Sequence, residues 1–202
     1  RPPRSTLFPY TTLFRSPAHG RVRVRMEKGR VGLGSTPKPE RITVGIPQEL
    51  ATRLPVQRLT AALPNAIVEA VEFRSELTVR VEPAHSRAAL EFLKNDPELR
   101  FNVLSDLTAV DRYPLEPRFE IVYQLLALER GERLRLKARL PGDDPRIDSI
   151  TFLWPAANML EREVFDLFGV HFAGHPNLRR LMMPGDWEGH PLRKDYPVEG
   201  YR

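Results

Sequence analysis

Prolines and glycines recur so closely in segment 171–202 that they limit what this part of the chain can fold into. They are Gly174, Pro176, Pro184, Gly185, Gly189, Pro191, Pro197 and Gly200. A proline has no backbone N–H to donate and has a restricted φ angle, so it ends helices and is excluded from central strands. The spacing therefore predicts a long, extended C-terminal tail.

The same segment holds large apolar side chains, at Phe172, Leu178, Leu181, Met182, Met183, Trp187, Leu192 and Tyr196. Disordered tails usually avoid such residues. An extended backbone cannot bury them against itself, so they must lie on the body of the chain or on another protein. Each one that is buried contributes about 1.5–3 kcal/mol before the entropic cost of ordering. We therefore predict that segment 171–202 binds a partner and that the chain is a subunit of an assembly.

Composition excludes several kinds of site. The chain has 202 residues and no cysteine, which excludes disulfides, thiolate zinc sites and cysteine-bound iron–sulfur clusters. It contains no run of about 18 apolar residues, so we expect no membrane-spanning helix. The chain has a net charge of +5, and residues 1–30 alone carry +7, from eight Lys/Arg against one acid. The remaining residues carry −2, which argues against a nucleic-acid partner.

Residues 1–46 differ in character from the rest of the chain. Residues 1–30 contain an internal Thr-Leu-Phe repeat, and the first methionine is Met26. Three interpretations are open: a basic targeting segment, a short β hairpin packed on the body, or translated DNA that lies outside the natural gene. We favour the third, and expect the natural protein to begin near Met26 and residues 1–30 to be poorly ordered. Residues 31–46, rich in glycine and proline, are expected to form a linker.

Hydrophobic periodicity in residues 47–170 predicts an α+β domain with a small mixed or antiparallel sheet and flanking helices. Strands are predicted over 67–73, 77–82, 101–110, 119–125 and 134–140. Helices are predicted over 47–63, divided near Pro55, over 83–95, over Asp148–Leu153 and over 154–168, with Gly169 as the stop. In the first strand, Ile67, Val71 and Phe73 are expected to share the buried face.

Segment 133–140 alternates strictly between basic and apolar residues, which predicts a strand with one solvated face. The basic residues are Arg133, Arg135, Lys137 and Arg139. They could bind an acidic partner or a phosphate, or their charge could be offset by cross-strand partners such as Glu120 and Glu129. We favour the solvated face, because no aromatic residues alternate with the basic ones for base stacking.

No catalytic, cofactor-binding or metal-binding residue is predicted. Glu161, Arg162, Glu163 and Asp166 belong to one predicted helix, and the i,i+4 spacing of Arg162 and Asp166 favours an ion pair over acid–base catalysis. The sequence contains no glycine-rich nucleotide motif and no serine or cysteine nucleophile motif.

Histidines and paired basic residues in the tail are also weak candidates for chemistry. His171 and His175 have a metal-ligand spacing only if they lie on a helix, which the nearby glycines and prolines disfavour, and His190 precedes a proline in a turn. The pairs Arg179-Arg180 and Arg193-Lys194 could bind phosphate. Because acidic residues alternate with them, pairing with a protein fits better.

Several motifs follow one another in the second half of the chain. They are Leu104–Asp111, Arg118–Tyr123, Glu161–Gly169, His175, Arg179–Met182 and Pro184–Pro197. In this order and spacing they resemble the signature of the 30 kDa subunit family of proton-translocating NADH:quinone oxidoreductase, respiratory complex I. The resemblance is close over 100–198 and looser over 47–99, whereas residues 1–46 match nothing in that family.

The resemblance implies a structural and assembly subunit in the peripheral, cytoplasm-facing arm of that membrane enzyme. It implies that NADH, flavin, iron–sulfur clusters and quinone are bound by partner subunits and that this chain holds no cofactor. The chief partner would be the quinone-cavity subunit related to hydrogenase large subunits. The expected contact residues are Glu161, Arg162, Glu163, Asp166, His175, Arg179, Arg180, Trp187, His190, Leu192, Arg193, Lys194, Asp195 and Tyr196.

Two alternative functions are distinguishable by simple observations. One is the equivalent subunit of a membrane-bound hydrogenase-type complex, which nickel-binding cysteines in the neighbouring large subunit would reveal. The other is a basic nucleic-acid-binding module, which a steep salt dependence of DNA binding would reveal.

Overall fold

A mixed five-stranded sheet forms the centre of the fold. The computed structural model describes residues 45–200, so the interpretations of residues 1–44 as leader and linker lie outside the described residues. The strands are β1 (Ile67–Phe73), β2 (Glu76–Val81), β3 (Val103–Asp111), β4 (Phe119–Ala127) and β5 (Glu132–Leu140). Their order is β1-β2-β5-β4-β3, with β2 and β5 parallel and the other neighbours antiparallel. The predicted α+β class is confirmed.

Four helices flank this sheet within the described residues: α1 (Gln48–Ala51), α2 (Leu54–Ala62), α3 (Ser86–Asn95) and α4 (Ala157–Phe168). Pro55 lies in the first turn of α2, which confirms the predicted division of the first helical segment. Pro83 opens a short 3₁₀ turn before α3, where its missing N–H has no helical acceptor to lose. None of the helices between residues 45 and 200 is long and apolar enough to cross a bilayer.

Strand β5 has the strict alternation predicted from its sequence. Its apolar residues Leu134, Leu136, Ala138 and Leu140 are buried in the core. On the opposite face the Glu120 carboxylate accepts hydrogen bonds from Lys137 at 2.7 Å and Arg139 at 2.9 Å, which confirms the predicted cross-strand neutralisation. Glu129 differs from the prediction, because its carboxylate pairs with Arg100 at 2.8 Å.

The buried face of β1 was predicted wrongly. Val71 and Phe73 are 40% and 70% exposed, whereas Ala70 is buried. A β-bulge between Ile67 and Glu69 shifts the alternation by one residue. Every side chain after the bulge therefore points to the face opposite the one expected from a regular strand.

The helix predicted over Asp148–Leu153 does not form, because Asp148 ends a short strand and residues 149–153 make a loop and a turn. Strands β6 (Arg146–Asp148) and β7 (His171–Ala173) pair side by side, with Ile147 opposite Phe172 in the core. A short apolar run does not distinguish helix from strand by periodicity. The predicted tail boundary at residue 171 is corrected too, since β7 belongs to the body.

Candidate partner-binding surface

Residues 174–200 run along α4 from Asn158, near its start, to Phe168 at its carboxyl end, and we call this segment the strap. The strap consists of turns and bends, with no helix or strand between its first and last residues. It leaves β7 at Gly174, whose φ of +80° lies in the left-handed region that favours glycine. Leu178, near its start, is half-buried against the core.

The carboxylate of Asp166, on α4, holds the middle of the strap. Its Oδ2 accepts the backbone N–H groups of Leu181, Met182 and Met183 at 2.9, 2.7 and 2.8 Å, and its Oδ1 accepts Nη1 of Arg180 at 2.6 Å. Successive N–H groups that converge in this way form a concave anion site. Burial alone raises the pKa of Asp166, but these hydrogen bonds outweigh it and hold the pKa below its usual value.

The predicted ion pair between Arg162 and Asp166 does not form. Arg162 instead donates from Nε to the carbonyl of Arg179 and from Nη2 to the carbonyl of Arg180, both at 3.1 Å. Both members of the expected pair therefore face the strap rather than each other. The i,i+4 spacing was correct for proximity, but backbone groups from a distant segment compete successfully for both side chains.

The strap also closes the carboxyl end of α4. Gly169 follows the helix with φ +74°, the left-handed stop predicted from the sequence. The carbonyls of Asp166, Leu167 and Phe168 accept hydrogen bonds from His190 Nδ1, Leu192 N and Arg193 Nε at 2.8, 3.0 and 2.6 Å. These carbonyls have no partner inside the helix, so the strap supplies what the helix end lacks. Burial and the charges of Arg193 and Arg180 lower the pKa of His190.

The far end of the strap is attached to the hairpin between β3 and β4. Asp111 accepts Nε and Nη2 of Arg118 at 2.9 and 2.7 Å, and it also accepts the backbone N–H of Lys194 at 2.8 Å. The hydrogen bonds from Arg118 hold the pKa of Asp111 well below its usual range, despite burial. Neither residue was predicted as a site residue. Their only signal was membership in the motifs 104–111 and 118–123, because periodicity does not report contacts with a distant segment.

Apolar side chains remain uncovered on this well-attached backbone. Met182, Trp187 and Leu192 are 62%, 38% and 52% exposed. Met159 on α4 is exposed as well, with its Sδ 3.5 Å from Nη1 of Arg162. The sequence predicted that the apolar residues of the tail lie either on the body of the chain or on another protein. The body binds the backbone of the strap and buries Phe172, but it leaves Met182, Trp187 and Leu192 exposed.

Two of the predicted contact residues lie inside the chain. Glu161 and Asp166 are both fully buried. Glu161 accepts the N–H of Ile150 and the hydroxyl of Ser149, each at 2.7 Å, and burial raises its pKa to about 7 in spite of these bonds. Their side chains cannot reach a partner, so we remove both from the contact surface as a correction.

The remaining predicted residues are exposed or half-buried on α4 and the strap. They are Arg162, Glu163, His175, Arg179, Arg180, Trp187, His190, Leu192, Arg193, Lys194, Asp195 and Tyr196. His175 binds the backbone, since its Nε2 lies 3.1 Å from the carbonyl of Asn158. Within residues 45–200 no group of three or more His, Cys, Asp or Glu side chains is placed to hold a metal ion.

Comparisons with known proteins identify relatives over most of the described region. Residues 79–202 match the family model described as the respiratory-chain NADH dehydrogenase 30 kDa subunit. The NADH-quinone oxidoreductase C subunit of Roseiflexus sp. (strain RS-1) is 51% identical over 143 residues, which cover 71% of this chain and 82% of that protein. Its counterpart in Geobacter sulfurreducens is 47% identical over 146 residues, covering 72% and 89%.

Two solved structures are similar as well. A trypsin-resistant fragment of Nqo5 is 33% identical with a TM-score of 0.51, covering 60% of this chain and 99% of the fragment. A chain of the membrane-bound sulfane sulfur reductase, an archaeal respiratory membrane complex, is 31% identical with a TM-score of 0.60, covering 71% of this chain and 84% of that one.

Proposed function

Because the chain belongs to the family of the respiratory-chain NADH dehydrogenase 30 kDa subunit, we propose that it serves NADH:quinone oxidoreductase as a structural and assembly subunit rather than as a redox carrier. In this role NADH, flavin, iron–sulfur clusters and quinone are bound by other subunits. The chain sits in the peripheral arm on the cytoplasmic side, and it packs on the quinone-cavity subunit related to hydrogenase large subunits.

One observation supports this proposal above the others. The strap has many hydrogen bonds to the body, yet Met182 and Leu192 are more than half exposed and Trp187 is 38% exposed. Ordered backbone that presents apolar and aromatic side chains outward is typical of a protein contact surface, and tryptophan is enriched among residues that dominate binding energy. The strap has equal numbers of acidic and basic side chains, so we propose that apolar burial rather than net charge attracts the partner.

The experiment replaces the exposed strap residues and measures assembly. We expect Trp187→Ala and Leu192→Ala to lower the yield of peripheral-arm complex that co-purifies with the chain. The unfolding transition of the body should stay unchanged, because neither side chain belongs to the core. Leu128→Ala is the matched control, since Leu128 is 61% exposed in the turn between β4 and β5, outside the strap. Normal complex yield from both strap variants would refute the proposal.

A second candidate is the equivalent subunit of a related membrane-bound complex with another electron donor or acceptor. The 31% identity to a chain of the archaeal sulfane sulfur reductase favours it. Identifying the large subunit that co-purifies with this chain would separate the two, because hydrogenase-type large subunits keep nickel-binding cysteines.

A further inference from the structure

We propose that Asp166 is a positioning residue: it fixes the backbone of the strap and thereby the direction of its exposed side chains. In this way it determines how tightly the partner binds, although its own side chain never touches the partner. This inference deepens the proposed function and rests on it. Asp166 is fully buried, so any influence on a partner has to pass through the strap. The strap residues that it binds include Met182, whose side chain is 62% exposed.

The hydrogen-bond geometry places Asp166 at the centre of the bend over residues 181–183. Three consecutive N–H groups, those of Leu181, Met182 and Met183, can meet at one oxygen only if the backbone curls around it. The directions of these three side chains therefore depend on where the carboxylate stands. Neighbouring Val164 and Phe168 are buried in the core, which fixes α4 and with it the position of Asp166.

The dependence is mutual, because a buried carboxylate without donors is strongly unfavourable. With the strap in place, Asp166 receives three N–H groups and the guanidinium of Arg180, which are charge-assisted hydrogen bonds of the stronger kind. Without the carboxylate, the same three N–H groups lose their acceptor. The strap conformation and the ionised Asp166 therefore stabilise each other.

The two carboxylate oxygens have separate partners, and this permits a selective test. In Asp166→Asn the remaining oxygen can still accept the three N–H groups, but the new NH₂ group faces the guanidinium of Arg180. The amide NH₂ group and the guanidinium are both hydrogen-bond donors, so they cannot bind each other. In the double variant with Arg180→Gln, a neutral amide oxygen can accept that NH₂ group, so the clash is removed. Asp166→Ala loses both sets of bonds.

The test measures three quantities for each variant: co-purification with co-expressed peripheral-arm subunits, the rate of tryptic cleavage after Arg193 and Lys194 in the isolated chain, and unfolding of the body. For Asp166→Ala we expect about tenfold faster cleavage and about tenfold weaker co-purification, as for the loss of charge-assisted hydrogen bonds. Asp166→Asn should lie in between, and the loss that it causes should be smaller in the Arg180→Gln background, measured against Arg180→Gln alone. Glu91→Gln, at an exposed carboxylate of α3, is the matched control and should resemble the wild type.

The outcomes separate this inference from the proposed function. If Asp166→Ala retains wild-type co-purification while Trp187→Ala loses it, the positioning role is refuted and the contact surface stands. If Trp187→Ala and Leu192→Ala also retain it, the proposed function itself fails. Should Asp166→Ala unfold the body, the asparagine series decides, with Arg180→Gln alone as the reference for the double variant because Arg180 is itself a contact residue. A smaller loss from Asp166→Asn in the Arg180→Gln background than in the wild type supports the positioning role, and an equal loss in both backgrounds refutes it.

Discussion

Arg118 and Asp195 lie 77 positions apart in the chain and form two hydrogen bonds, Nη1 to Oδ2 at 2.9 Å and Nη2 to Oδ1 at 2.6 Å. The same guanidinium binds Asp111 and stacks over the ring of Phe119, 4.9 Å from its centroid. The side chain of Asp111 is 2% exposed, whereas that of Asp195 is 46% exposed. One arginine thus joins the core sheet to the end of the strap through two carboxylates of very different burial.

This difference in burial predicts unequal effects on stability. Asp111→Asn should lower the free energy of unfolding by about 3 kcal/mol, because it removes the buried counter-charge of Arg118. Asp195→Asn should lower it by less than about 1 kcal/mol, since water screens a half-exposed pair. Urea denaturation of the two variants and the wild type measures both values. Equal losses would contradict the assignment of Asp111 as the principal partner.

Glu161 predicts a pH-dependent contribution to stability with a defined sign. Burial raises its pKa to about 7 from an ordinary value of 4.5, so the folded chain holds the proton more tightly than the unfolded chain. The protonated Glu161 therefore stabilises the fold when the pH is below 4.5, its pKa in the unfolded chain. This contribution to the free energy of unfolding is lost as the pH rises through about 7, its pKa in the folded chain. Glu161→Gln has no proton to lose, so its stability relative to the wild type should rise by about 2–3 kcal/mol between pH 4.5 and pH 8.

Unfolding free energies of the wild type and Glu161→Gln at several pH values test this expectation. The depressed pKa of Asp111 also makes stability depend on pH, but both proteins carry Asp111, so its contribution cancels in the difference between them. A difference between the two proteins that is constant with pH would show that folding does not raise the pKa of Glu161, and would refute the expectation.

We expect that Tyr123 can be replaced by phenylalanine without loss of stability. Its hydroxyl is fully buried on the core side of β4, and none of the described residues offers it a hydrogen-bond partner. Burial and the charges of Glu161 and Asp148 raise its pKa. Tyr123→Phe should therefore leave the unfolding free energy unchanged or raise it by up to about 1 kcal/mol, because an unpaired buried hydroxyl is itself unfavourable. A large loss in thermal or urea unfolding would point to a partner for this hydroxyl.

Two glycines with similar backbone angles allow us to predict how much the close packing at the carboxyl end of α4 matters for stability. Gly169 has φ +74° and Gly131 has φ +61°, so alanine at either position is disfavoured by about 1–2 kcal/mol. At Gly169 a new Cβ would also lie 2.6 Å from Nε2 of His190 and would press on the Arg193 guanidinium, whereas at Gly131 nothing lies within 4 Å.

Gly169→Ala should therefore destabilise the chain more than Gly131→Ala and should accelerate tryptic cleavage of the strap. Denaturation and limited proteolysis of both variants provide the comparison. Equal behaviour of the two would mean that His190 and Arg193 yield to the added methyl group without loss.

The sequence predicted secondary structure correctly wherever the interactions that determine it involve residues close together in the chain. The alternation of β5, the proline-led starts of α2 and of the turn before α3, and the left-handed stop at Gly169 all follow from residues within a few positions of one another. The pattern failed at β1, where one bulge reversed the facing of Val71 and Phe73. It failed again at Asp148–Leu153, where the end of β6 and a turn stand in place of the predicted helix.

The spacing of prolines and glycines was enough to exclude helix and central strand from the strap, because both structures need backbone donors and φ angles that those residues do not supply. The path of the strap depended on contacts between segments far apart in the chain. Asp166 and Asp111 direct it through hydrogen bonds to backbone groups 15 and 83 positions away. Such bonds leave no periodic trace among the residues that make them, so only the folded arrangement of α4, the β3–β4 hairpin and the strap could reveal them.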